Sequence, residues 1–116
     1  GAKARVHQWV AQDVGRAIDL CLARGVPIVV MNYPLRPMAN DLYQRVATQR
    51  GVSFVDNKAV FDRLPDPRAY LIADGHCNQA GNACVAHNAL GPVLRSLNLP
   101  VPVVTSDRNP VPPARP

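Results

Sequence analysis

The sequence contains no glutamate and only two lysines, Lys3 and Lys58, so eleven of its 13 basic residues are arginine. That bias reads as genome composition rather than as a selected surface. Aromatic residues are also scarce, with one tryptophan, three tyrosines and two phenylalanines, none of them in a basic cluster. The net charge is +5, but the arginines stand singly among Asp13, Asp19, Asp41, Asp56, Asp62 and Asp66. Stacking platforms and basic stripes are therefore missing, and no nucleic-acid partner is expected. Three cysteines, an odd and small number, imply no disulfide framework, although a bridge from Cys77 to Cys21 or Cys84 stays open for an exported protein. The longest apolar stretch, Val26 to Met31, is far short of the ~20 residues a membrane span needs. No signal peptide or lipidation motif is read in these residues, an absence that carries no information where an upstream segment is expected.

What is there is a single globular domain. Apolar residues make up 47% and charged residues 18% of 116 residues, which excludes a disordered chain and allows one domain. Val6, Val10, Val14, Ala17, Ile18 and Cys21 recur at helical spacing over residues 5–24, and Gly25 stands where that helix should stop. Trp9, beside Val6 and Val10, is expected in the core. Pro27-Ile28-Val29-Val30-Met31 is apolar without alternation, the pattern of a strand buried on both faces of a parallel sheet. After Tyr33-Pro34-Leu35-Arg36-Pro37 a second helix is predicted from about Met38 to Gln49, with Met38, Leu42, Val46 and Ala47 inward. Val52 to Asp56 reads as another short strand, completing a right-handed βαβ unit. Asn57 is expected to cap a short helix over Lys58 to Leu64. Asn78 is expected to cap a last helix through Leu97, which Gly91-Pro92 should kink or split. From residue 98 onward six of nineteen residues are proline, a tail expected to be extended and disordered. Two parallel strands leave open edges, and Gly1 stands directly ahead of a helix. A further segment upstream is therefore expected to complete the sheet.

The sharpest chemical feature is Asp74-Gly75-His76. Residues two apart in an extended segment project to one side, so a carboxylate and an imidazole can meet there. The carboxylate would then fix the ring tautomer and stabilise the imidazolium. An ordinary surface turn can carry the same tripeptide. Asn32 and Tyr33 follow the first strand at its carboxyl end, where open α/β sheets place ligands, and are candidate substrate-binding residues.

The run from Tyr70 to Asn82, YLIADGHCNQAGN, resembles the last conserved block of the SGNH (GDSL-type) hydrolases: Asp74, His76, Cys77, Asn78 and Gly81 occupy its positions. Gly25-Val26-Pro27-Ile28-Val29-Val30 leading to Tyr33-Pro34, and Gly51 to Asp56, are similar to that family's second half. The resemblance runs in order over residues 5–97, although only Asp74 to Gly81 is specific. It implies a flavodoxin-like three-layer α/β/α sandwich with a parallel sheet, incomplete in this chain, over residues 1–97 and followed by a tail over 98–116. It also implies a serine esterase or lipase-like activity on a small ester or an acetylated saccharide, without a cofactor. His76 would be the base and Asp74 its orienting acid. The family's Gly-Asp-Ser nucleophile and oxyanion residues have no counterpart here. Ser53, Ser96 and Ser106 read as ordinary serines, and Asn32 lacks the glycine that precedes the family's oxyanion asparagine. Those parts are expected upstream, and this chain alone is expected to be inactive. A bacterial extracytoplasmic location is compatible with the resemblance.

Two other classes compete. A non-catalytic binding or scaffold domain could keep the same fold. Alternatively, His76, Cys77, Cys84 and His87 could form a metal cluster, but their spacing matches no standard zinc pattern and no metal is expected. Cys84 is better read as a small core residue and His87 as the flank of a helix.

Overall fold

The computed structural model describes residues 1–35 and 40–103. Met38, Ser106 and most of the proline-rich tail lie outside them. Helix α1 spans Ala2–Ala23, and its last carbonyls are closed by Gly25 at φ 65°, with the Val26 N–H returning to Cys21 O at 2.9 Å. Only glycine adopts that left-handed angle without strain, so the stop predicted at Gly25 has a physical cause. Strand β1 (Val29–Met31) and strand β2 (Ser53–Val55) pair in parallel, with Val30 opposite Phe54. Helix α2 (Asn40–Gln49) is the crossover between them. Helix α3 (Asn57–Asp62), a 3₁₀ turn (Pro67–Tyr70) and helix α4 (Gln79–Ser96) follow. The chain is thus a mixed α/β structure around a two-stranded parallel sheet. No helix among the described residues is long and apolar enough to cross a membrane.

Two apolar clusters hold the elements. Ile18 of α1 meets Leu42 and Val46 of α2, with Val10, Val14, Ile28, Val30 and Val52 around them. Phe61, Leu64, Tyr70, Ala80 and Cys84 form the second, which fastens α4 to α3 and the 3₁₀ turn. Phe61 and Tyr70 meet edge to face with ring centroids 6.0 Å apart, a geometry favoured by the ring quadrupoles.

Four local expectations need correction. Trp9 is not core but 60% exposed. It lies nine residues before Ile18, about two and a half turns, and so faces away from the buried stripe. The first strand is not buried on both faces: Val29 and Val30 are half-buried and Met31 is 42% exposed, because the helices packed on the strand among the described residues leave its end uncovered. Asn57 does not cap α3. Asp56 does, its side chain accepting from the Ala59 N–H at 3.0 Å, while Asn57 lies buried one position inside the helix. Finally, α4 runs unsplit through Pro92. Gly91 relieves the crowding that a Cβ before proline would cause, and contacts with both strands and the 3₁₀ turn support the helix.

Candidate active site

Two loops build the site, one leaving the carboxyl end of β1 and one entering α4. The second is folded by its own backbone. Tyr70 O receives the Asn78 N–H at 3.0 Å, Leu71 bridges Cys77 in antiparallel fashion, and Ile72 N–H donates to His76 O at 2.8 Å. Gly75 turns the chain at φ 89° and returns its N–H to Ile72 O at 2.9 Å. Asn78, as expected, caps α4: its Oδ1 accepts from Gly81 N–H at 3.0 Å, while its amide donates to Ala69 O at 2.8 Å. His76 is therefore set on a short hairpin that is bolted to the start of an eighteen-residue helix.

Within that hairpin Asp74 Oδ1 receives the His76 backbone N–H at 3.0 Å and lies 2.9 Å from His76 Nδ1. The backbone N–H first, and the imidazole second, hold the Asp74 carboxyl below the usual carboxylate range. An ionised carboxylate at this distance accepts a hydrogen bond from His76 Nδ1–H, and Nε2 lies on the other side of the ring. Nε2 has no hydrogen-bond partner among the described residues. Both side chains are open to solvent, His76 at 64% and Asp74 at 61%. A hollow of about 220 Å³ is lined by them with Gly75, Tyr33 and Leu35.

Tyr33 comes from the other loop. Its ring meets the His76 imidazole edge to face, centroids 6.1 Å apart and planes at 70°. Its hydroxyl accepts the Cys77 backbone N–H at 2.9 Å. Burial pushes the phenol's ionisation upward, so it remains neutral. Asn32, the neighbouring residue, goes elsewhere. It is 4% exposed, donates to Asp56 Oδ1 at 2.8 Å and accepts the Lys58 N–H at 3.1 Å. Its carbonyl accepts from the Asn57 amide at 3.0 Å, and Asn57 Oδ1 in turn accepts from Asn88 of α4 at 3.0 Å. The Ala59 N–H and then the Asn32 amide hold the Asp56 carboxyl below its ordinary range. Asn32 lines a second hollow with Asp41, Asp56 and Lys58, in which Lys58 is paired to Asp62 at 2.6 Å. Its polar atoms thus tie together the carboxyl ends of both strands.

The structure brings Tyr33, Asp74 and His76 together and leaves Asn32 apart. Leu35, on the hollow's apolar wall, and the Cys77 N–H that meets Tyr33 were not singled out from the sequence; a contact across 44 residues leaves no local signal. No described serine joins the site. Ser53 lies at the amino end of β2 opposite Val29, and Ser96 Oγ donates to Val93 O at 2.7 Å near the far end of α4. All three cysteines are free, and burial pushes the Cys84 thiol up. No three His, Cys, Asp or Glu side chains among the described residues gather to hold a metal, and His87 is exposed. Compared with family models, curated proteins and solved structures, the chain matches none of them.

Proposed function

We propose that this chain supplies the acid–base half of an SGNH-type serine esterase, with His76 as general base and Asp74 orienting it. A nucleophilic serine and oxyanion donors would come from outside the described residues. The observation that carries this reading is the 2.9 Å contact between His76 Nδ1 and Asp74, in a hollow that both residues line and where Nε2 has no partner among the described residues. In that role Nε2 takes the serine hydroxyl proton as the oxygen attacks the ester carbonyl. The tetrahedral intermediate then collapses as the imidazolium returns the proton to the departing alkoxide. Water repeats the cycle on the acyl-enzyme, and Asp74 stays ionised throughout. The substrates are small esters or acetylated saccharides, which an open hollow admits. The complete fold under this reading is a three-layer α/β/α sandwich, whose further strand would cover the exposed side of β1.

A non-catalytic scaffold is favoured by a different observation. The Asp74 carboxylate accepting the His76 N–H is an Asx turn, complete without any use of the imidazole. One experiment separates the two. The natural polypeptide bearing these residues is assayed on p-nitrophenyl acetate beside His76→Asn and Asp74→Asn. The esterase reading expects turnover to fall by at least about a thousandfold in His76→Asn, with labelling by a fluorophosphonate lost in parallel. Wild-type turnover in that variant, or no turnover in the parent, leaves the scaffold.

A further inference from the structure

The Cys77 N–H is the next amide along the chain from His76, and its acceptor is the hydroxyl of a residue 44 positions away. Among the described residues, the other hydrogen bonds that shape the hairpin stay within residues 68–82: Leu71 to Arg68, Ile72 to His76, Gly75 to Ile72, His76 to Asp74, Asn78 to Tyr70 and to Ala69. These fix the hairpin on α4, whose Asn88 reaches the strand ends through Asn57, but none of them crosses the hollow to the loop after β1. The Tyr33 hydroxyl does so. The same residue places its ring edge to face with the imidazole, on a side chain whose only other anchor among the described residues is Asp74. A ring that is 64% exposed and held at one nitrogen alone is free to swing about its side-chain bonds. Held at Nδ1 by a carboxylate and flanked by a second ring, it has one favoured orientation.

We infer that Tyr33 is a positioning residue for His76: its hydroxyl ties the β1 loop to the Cys77 amide, and its ring fixes the orientation of the imidazole. The inference rests on the esterase reading for its catalytic consequence, but the positioning itself is measurable without any activity. The two functions of the side chain are separable by substitution. Tyr33→Phe keeps the ring and removes the acceptor, whereas Tyr33→Leu removes both. Pro34, buried directly after Tyr33, holds the backbone in either case.

The test uses this chain labelled with ¹⁵N. Amide hydrogen exchange at Cys77 reads the tie, and long-range ¹H–¹⁵N correlation at alkaline pH reads the His76 tautomer. Loss of one hydrogen bond corresponds to roughly a fivefold change in opening, so Tyr33→Phe should speed Cys77 exchange by about fivefold with the Nδ1–H tautomer retained. Tyr33→Leu should speed exchange equally and, by freeing the ring to swing out of reach of Asp74, convert the imidazole to a mixture of tautomers. In the natural polypeptide, Tyr33→Phe should lower kcat several-fold with KM unchanged, whereas loss of a substrate contact would raise KM. Wild-type Cys77 exchange in Tyr33→Phe, together with a wild-type tautomer in Tyr33→Leu, would overturn the inference. If the NMR changes occur but the natural polypeptide hydrolyses no ester, the positioning stands and the esterase reading falls.

Discussion

Replacing Gly81 with alanine sets two effects of opposite sign against each other. Gly81 is the third residue of α4, and alanine is the better helix former by at most about 1 kcal/mol. A Cβ at this position, however, would overlap Tyr70 O and stand 3.0 Å from Cys77 Cβ and 3.2 Å from Cys77 Sγ. Tyr70 O is main chain and is already held by the Asn78 N–H, so it cannot turn aside as a side-chain tip would. Either the start of α4 or the 3₁₀ turn must move by about an ångström, an overpacking cost of roughly 1–3 kcal/mol. Disturbing the Asn78–Tyr70 bond adds about 1 kcal/mol. The net expectation is a loss of about 2 kcal/mol, or roughly 10 °C in Tm for a domain of this size. Urea unfolding followed by circular dichroism measures it. Gly15→Ala is the internal control, because its Cβ would meet only the guanidinium of Arg50, the end of a flexible side chain whose partner Asp19 is exposed. There the gain in helix propensity offsets a weakened surface ion pair, and stability should stay within about 0.5 kcal/mol. A Gly81→Ala protein as stable as its parent, or equal losses at both glycines, would refute the close approach of α4 to Tyr70.

Asn57→Ala should cost about 2–3 kcal/mol, since it leaves the buried Asn32 O and the half-buried Asn88 amide without their partners; urea unfolding reads this directly. Asp56→Ala should cost about 1–2 kcal/mol, because one carboxylate both caps α3 and receives the Asn32 amide. Its folded-state ionisation is depressed, so its contribution is complete above the ordinary carboxyl range and is lost as pH falls through the lower folded value. Asp56→Asn keeps the capping oxygen and should flatten that acid limb in unfolding measured against pH. Trp9→Gln should change stability by no more than about 0.5 kcal/mol, against the 3–5 kcal/mol of a core tryptophan truncation. Thermal unfolding distinguishes these outcomes.

The elements were readable where a residue's backbone chemistry is local. Gly25 stops α1 and Asn78 caps α4 because a left-handed turn and a short acceptor side chain act within a few residues. Leu42, Val46 and Ala47 face inward as a three-and-four spacing on a helix requires. Burial that depends on neighbours was not readable. Trp9 looks like core to any local pattern, and Met31 looks like a buried strand residue, yet both are exposed among the described residues. The pairing of Asp74 with His76 was legible, but not its cause: an extended segment was expected, and the two meet instead across a turn at Gly75, φ 89°, in which the Asp74 carboxylate accepts the His76 N–H. Tyr33 could be placed beside them only by the fold. Asn32 looked identical to Tyr33 as a loop residue after β1, and a single peptide step sends it into the opposite network.

That network has a mechanical meaning for the cleft. Helix α4 grips the hairpin of His76 at its first turn through Asn78 and, three turns on, grips the ends of both strands through Asn88. It therefore works as a splint between the two banks of the hollow. If the hollow takes a ligand as proposed, its two walls are already joined before that ligand arrives, once through the helix and once through the Tyr33 hydroxyl.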